Sequence, residues 1–123
     1  YAWSQVLAGD LEGARTTFQF VEPSSLDWFP EHLVGGIALV AAAETAVAVE
    51  DAAMSEAAAE QLEPLGSLML GLPWAPSFAA ADSLALLAHH RGDSNAETTW
   101  RQRAIGLYEA LGAPALASHL ERF

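Results

Sequence analysis

The sequence of 123 residues contains no cysteine and no lysine, and its five basic residues are all arginine. Without cysteine the chain can form neither a disulfide bond nor a thiolate metal site. Cysteine usage therefore does not indicate an oxidising or a reducing compartment. Sixteen acidic residues outnumber the five arginines and give a formal net charge of −11. Phosphate contacts need clustered lysine and arginine, so the composition argues against a nucleic-acid partner and against an anionic membrane surface.

A long hydrophobic run is also missing. The longest apolar stretch covers residues 33–49, which is short for a membrane span, and Glu44 interrupts it. We interpret this stretch as a buried helix and expect no membrane partner. No signal peptide is recognisable, so we expect a cytoplasmic protein. Because the chain starts at Tyr1 within a helical pattern, we also expect it to be a C-terminal fragment of a larger protein.

Alanine is abundant and β-branched residues are sparse, a combination that favours helix over strand. Hydrophobic residues make up 52% of the chain and charged residues 17%, as in a globular domain. The clearest unit covers residues 76–112, where an apolar helix, a turn at Gly92 and Asp93, and an amphipathic helix ending at Gly112 follow one another. A unit of this kind is typical of stacked helical repeats, so the predicted fold class is all-α.

The same pattern recurs along the chain. An offset of 46 residues matches a loop motif, Leu26, Trp28 and Pro30 with Leu72, Trp74 and Pro76, and a helix face, Met54, Ala58, Leu62, Leu65 and Gly66 with Trp100, Ala104, Tyr108, Leu111 and Gly112. An offset of 44 brings Ala14, Phe18 and Val21 onto the same face. These matches predict one domain of tandem antiparallel helical hairpins, a tetratricopeptide-like array, over about residues 1–22, 27–66 and 76–112, with a final helix at 114–122.

Local signals predict where individual helices begin and end. Asp10 is a predicted N-cap for a helix over residues 11–21, and Asp27 is a candidate cap for the long apolar helix that follows. Pro64 should loosen the end of the helix that follows Glu50 and Asp51. Gly66 then fits the left-handed position that commonly ends a helix.

The C-terminal hairpin, LALLAHHRGDSNAETTWRQRAIGLYEALGAPALASHLERF, resembles the last tetratricopeptide-like repeats of large bacterial regulators. The matching phrases are residues 88–93 at the turn and residues 108–114 at the exit. The regulators are the LuxR-family and MalT-like ATP-dependent transcriptional activators and the actinobacterial proteins that join a nucleotide cyclase or AAA-type ATPase to a helical-repeat tail. The resemblance implies a non-catalytic module that contacts a protein partner or neighbouring domains. It also implies an alternative, a sensor that holds a small-molecule effector in its concave groove.

Catalytic and metal-binding patterns are not found in the sequence. His89 and His90 are adjacent, so on a helix their side chains point about 100° apart and cannot bind one ion together. They suit a helix C-terminus, where a positive charge is favourable. There is no nucleophile elbow and no phosphate-binding loop, so we expect neither an enzyme nor a cofactor.

Five residues are candidates for contact with a partner or ligand. Glu44 and Asp82 each interrupt an otherwise apolar first helix, where a carboxylate should find a partner or line a groove. Trp28 and Trp74 occupy matching loop positions and act either as wedges between hairpins or as stacking platforms for a ligand. His89 is the fifth candidate. Self-association through the N-terminal end is also expected, because the end of a helical array exposes an apolar surface.

Overall fold

The computed structural model describes residues 1–31, 35–70, 78–113, 115 and 117, and of residues 28–31, 35, 70 and 78 it describes the backbone alone. Within these ranges the chain is almost entirely helical, which confirms the all-α class. The α-helices are α1 (Ala2–Leu7), α2 (Leu11–Phe18), α3 (Gly35–Ala48), α4 (Ala52–Leu62), α5 (Ala80–Arg91) and α6 (Ser94–Ala110). Two 3₁₀ helices cover Pro23–Glu31 and Glu63–Leu65, and two short strands, β1 (Met69–Leu70) and β2 (Phe78–Ala79), pair antiparallel.

Each pair of consecutive helices, α1–α2, α3–α4 and α5–α6, is joined by the same kind of turn. A residue with positive φ follows the first helix of each pair within two positions: Gly9 (82°), Glu50 (60°) and Gly92 (76°). The aspartate that follows caps the second helix through its side chain: Asp10 accepts from the N–H of Gly13, Asp51 from Met54 and Asp93 from Ala96, at 2.9 to 3.1 Å. The capping role predicted for Asp10 is therefore confirmed, and all three turns share one chemistry.

The helices pack in an order that repeats. Within each pair the two helices contact each other, and the first helices also contact one another in sequence, α1 with α3 and α3 with α5. The second helix of one pair contacts the first helix of the next, α2 with α3 and α4 with α5. Each helix pair therefore lies against the pair that follows it.

The turns and the buried positions repeat with different spacings. The positive-φ residues lie 41 residues apart from Gly9 to Glu50 and 42 residues apart from Glu50 to Gly92. The buried residues instead match at offsets of 44, from Phe18 to Leu62, and 46, from Leu62 to Tyr108. The surplus of three and then four residues is about one helical turn each time. The second helices also lengthen along the chain, from 8 residues in α2 to 11 in α4 and 17 in α6.

The interior contains two hydrophobic clusters. The larger cluster joins residues from all helices except α6, and its fully buried large side chains include Leu26, Leu39, Met54 and Leu62. The smaller cluster surrounds Tyr108 and is otherwise made of alanines, among them Ala117. The ring of Trp100 packs against both clusters. Of the helix face that recurs in the sequence, Met54, Ala58 and Leu62 are buried and Leu65 is half-buried. The acidic residues of the same region, Glu56, Glu60 and Glu63, are exposed.

Gly66 differs from its predicted role. Its φ of −61° is right-handed, so the residue is not the left-handed helix end that the pattern predicted. The position instead leaves little room for a side chain, because a Cβ atom here would overlap the ring of Trp100. Pro64 has the predicted effect, since the α-helix gives way to a 3₁₀ turn at Glu63.

The helix predicted over residues 11–21 is shorter than expected. It ends at Phe18, and the backbone N–H of Val21 bonds the carbonyl of Phe18 in a tight turn. Pro23 disfavours helical conformation only in Glu22, the residue before it, so it limits how far the helix can extend without explaining its end at Phe18. Phe20 is consequently 80% exposed, and Val21 does not join the buried face.

Two further features were not predicted correctly. Asp27 lies within a 3₁₀ helix and accepts a hydrogen bond from Nε2 of Gln61 at 2.8 Å, so it does not cap the long helix. The strands β1 and β2 are too short to produce an alternating pattern. Of the predicted final helix, only Ala115 and Ala117 fall within the described residues. None of the helices in the described ranges is both long and apolar enough to cross a bilayer.

Candidate functional site

The candidate residue Glu44 lies on α3 and connects this helix to α1. Its Oε2 accepts a hydrogen bond from Nε1 of Trp3 at 2.5 Å. The two residues meet because they occupy equivalent places, each six residues before the positive-φ residue of its own turn. The residue at the same place on α5 is Leu86, and all three side chains are half-buried. We call Trp3, Glu44 and Leu86 the first-helix row.

The second candidate carboxylate, Asp82, is fixed by Tyr108. The Tyr108 hydroxyl donates to Oδ2 of Asp82 at 3.0 Å and accepts from the backbone N–H of Ala79 at 3.1 Å. Asp82 lies one helical turn before Leu86 on α5, on the same side of that helix. Tyr108 is 1% exposed and belongs to the smaller cluster. Through Asp82, its hydroxyl connects this cluster to the helix that carries Leu86 of the first-helix row.

Glu44 and Asp82 influence each other electrostatically. Partial burial raises the pKa of Glu44, the hydrogen bond from Trp3 opposes this shift, and the negative charge of Asp82 adds to it. Burial likewise raises the pKa of Tyr108, and the charges of Asp82 and Glu44 contribute to that rise. The charge of Asp82 is thus the smallest of the three influences on the pKa of Glu44. A positive charge placed here would stabilise the ionised form of both carboxylates.

His89 belongs to a different place. It is exposed near the end of α5, where its Nδ1 lies 3.1 Å from Oε1 of Glu97 on α6. Arg101 contacts the same carboxylate oxygen. Although burial acts to raise the pKa of Glu97, the hydrogen bond from His89 and the charges of His89 and Arg101 lower it overall. This arrangement ties α5 to α6, and His89 lies about 10 Å along the helix axis from Asp82.

The tryptophan candidates are not tested by the structure. Trp74 lies outside the described residues, and so does the side chain of Trp28. Two other aromatic residues, Trp3 and Tyr108, were missed as functional candidates. A signal for Tyr108 was present in the sequence, because it carries a hydroxyl at a position that Leu62 fills with an apolar side chain. The equivalence of Trp3 and Glu44 is visible only when the helix pairs are aligned by their positive-φ residues, Gly9 and Glu50.

A shallow depression lies at another point of the surface, where the end of α2 meets the α3–α4 turn. It has a volume of about 340 Å³, is open to solvent, and includes Arg15 and Glu50 in its lining. None of the residues that line this depression belongs to the first-helix row. Within the ranges that the structure describes, no three histidine or acidic side chains gather at a point where they could bind a metal ion.

Comparisons of this chain with protein-family models, curated proteins and solved structures find no match.

Proposed function

We propose that the chain is a tetratricopeptide-like array of tandem helical hairpins, and that it serves as a non-catalytic contact module of a cytoplasmic bacterial regulator. Its task would be to bind a protein partner, or to transmit a signal to neighbouring domains. The observation that supports this most directly is the repetition of one turn in all three helix pairs. Each turn combines a positive-φ residue with an aspartate N-cap, at Gly9, Glu50 and Gly92.

The packing order supports the same proposal. In a stacked array each helix pair contacts only its neighbours, and the first helices line one surface. Here the first helices contact one another in chain order, and the hydrogen bond between Trp3 and Glu44 joins equivalent positions of two consecutive units. Arrays of this kind bind partners on an extended concave surface, and the proposal assigns the first-helix row to that surface.

The charge of the chain indicates what kind of partner is expected. With a net charge of −11, the protein attracts basic surfaces and repels acidic ones. On the first helices, Glu44 and Asp82 add negative charge beside the apolar side chains of Trp3 and Leu86. A partner segment with both basic and apolar side chains would suit this combination.

Site-specific photo-cross-linking in cells that express the native gene product tests the proposal. A photoreactive amino acid replaces Leu86, which is half-buried in the first-helix row, and in a matched control it replaces Gln102, which is exposed on α6. We expect a discrete protein adduct, or an adduct with a neighbouring domain, from position 86 and none from position 102. Equal adducts from the two positions, or no adduct from position 86, would contradict a contact surface on the first helices.

A small-molecule sensor is the alternative function, and the carboxylate pair favours it. Glu44 accepts its hydrogen bond from the neutral indole of Trp3, and the pKa of Glu44 is raised. The protein therefore stabilises the ionised carboxylate poorly, and a cationic ligand would stabilise it. The test is a thermal-shift series with small organic amines. A saturable rise in Tm that Glu44→Gln abolishes would support the sensor, whereas a rise unchanged in this variant would contradict it.

A further inference from the structure

The depression at the end of α2 lies between the first and second helix pairs. Its lining consists of Arg15, Phe18 and Gln19 from the end of α2 and of residues 49–52 around the α3–α4 turn. Two consecutive pairs therefore form it together. Its volume of about 340 Å³ falls at the lower end of the range for small-molecule sites.

Glu50 forms its turn at a conformational cost that the other two turns avoid. Its φ of 60° lies in the left-handed region, which is unfavourable for a residue with a side chain, and Gly9 and Gly92 occupy the equivalent places. The turn itself therefore needs no side chain at this position. The glutamate instead adds an exposed carboxylate to the lining of the depression, which also contains Asp51.

Arg15 provides the opposite charge. It is the only lysine or arginine among the first 90 residues. Its Nη1 donates to Oε2 of Glu12 at 3.0 Å, in a pair whose side chains are 50% and 83% exposed. An ion pair with this exposure adds little stability, and the contact uses one of the five N–H donors of the guanidinium. Arg15 can therefore bind a ligand carboxylate without the loss of an important contact of the fold.

Apolar side chains complete the lining. Phe18 and Val49 are almost fully buried, at 5% and 7% exposure, so the core fixes their positions. A ligand in the depression thus meets apolar surface together with one cation and two carboxylates. An anion would be repelled by Glu50 and Asp51, and a simple cation by Arg15, whereas a zwitterion has a partner for each of its charges.

We propose that the depression binds a free α-amino acid with an apolar side chain. Arg15 binds its carboxylate, Glu50 binds its ammonium group, and its side chain packs against Phe18 and Val49. A ligand without net charge also suits a protein of charge −11, which repels anions. The site shares no residue with the first-helix row, so this inference goes beyond the proposed function and does not depend on it.

Titration of the nitrogen-15-labelled chain with leucine, followed by NMR, tests the proposal. We expect saturable shifts of the backbone amide signals of Phe18 and of residues 49–52, with a dissociation constant below about 10 mM. Two analogues of leucine each lack one charge, since isoamylamine has no carboxylate and isocaproate has no ammonium group. Each should bind at least about tenfold more weakly than leucine, because each leaves one charged hydrogen bond unmade.

The variant Glu50→Gly separates binding from folding. Glycine suits the left-handed turn, so we expect a Tm at least as high as that of the parent chain, together with at least about tenfold weaker binding of leucine. Arg15→Gln should weaken binding to a similar extent. Its matched control, Arg91→Gln, removes an exposed arginine that does not line the depression and should bind leucine like the parent chain.

Four results would overturn the proposal. They are the absence of a saturable shift with leucine, equal binding of either analogue, unchanged binding in Glu50→Gly or Arg15→Gln, and an equal loss of binding in Arg91→Gln.

Discussion

The second and third helix pairs fill the same core position with side chains of different chemistry. Leu62 in α4 and Tyr108 in α6 are both buried, and each follows a buried alanine four residues earlier, Ala58 and Ala104. Leu62 makes apolar contacts, whose energy depends little on direction. Tyr108 adds two directional hydrogen bonds, to Asp82 and to the backbone of Ala79. The comparison shows that equivalent buried positions can have different roles. Leu62 contributes packing alone, whereas Tyr108 also positions the carboxylate of Asp82.

Removing Leu62 should have the largest effect. Leu62→Ala deletes a fully buried side chain from the larger cluster and is expected to lower the free energy of unfolding by about 2–5 kcal/mol. Urea unfolding followed by circular dichroism measures this loss. Leu68→Ala is the control, because Leu68 is 50% exposed and should change the stability by less than about 0.5 kcal/mol. Similar losses in the two variants would contradict the assignment of Leu62 to the core.

Tyr108→Phe should have an intermediate effect, because it keeps the ring and removes only the hydroxyl. The N–H of Ala79 and the carboxylate of Asp82 each lose a partner, and we expect a cost of about 1–3 kcal/mol. The same urea experiment applies. Tyr1→Phe removes an equal hydroxyl from a side chain that is 89% exposed and should leave the stability unchanged. If Tyr108→Phe were equally neutral, the two core positions would be alike after all.

Glu44→Gln should have the smallest effect, and its sign depends on pH. The folded-state pKa of Glu44 is raised, so ionisation disfavours the fold, and stability is lost as the pH rises through the folded pKa. Glutamine stays neutral and keeps a side-chain oxygen for Trp3. The variant should therefore be more stable than the parent at neutral pH, by less than about 1 kcal/mol, and the difference should vanish below the pKa of the unfolded carboxyl.

Thermal melts of the parent and of Glu44→Gln, from below the pKa of the unfolded carboxyl to neutral pH, measure the difference in stability. The control Glu56→Gln removes a carboxylate from the exposed side of α4 and should give no comparable gain at neutral pH. A destabilised Glu44→Gln protein at neutral pH would show that the hydrogen bond from Trp3 outweighs the cost of burial.

Much of the helical pattern could be predicted because its causes are local. An aspartate after a turn caps a helix whatever surrounds it, and Asp10 and Asp93 do so in the structure. The role of Gly66 could not be predicted, because the reason for it is the ring of Trp100, a residue 34 positions further along the chain. Asp27 was misjudged for the same kind of reason, since its partner Gln61 comes from another helix.

The candidate site was predicted in part. Glu44 and Asp82 were identified because a carboxylate in an apolar helix is conspicuous in any sequence. Trp3 and Tyr108, which hold them, were missed because an aromatic residue at helical spacing is indistinguishable from ordinary core until its polar atom has a partner. Aligning the helix pairs by their buried residues also does not match Trp3 with Glu44. That alignment differs by three or four residues from the alignment by the positive-φ residues, in which the two positions coincide.

The increasing length of the second helices, from α2 to α6, gives them unequal lever arms. At 1.5 Å per residue, α2 extends about 12 Å from its turn and α6 about 26 Å. The same angular displacement about a turn would therefore move the far end of α6 about twice as far as the far end of α2.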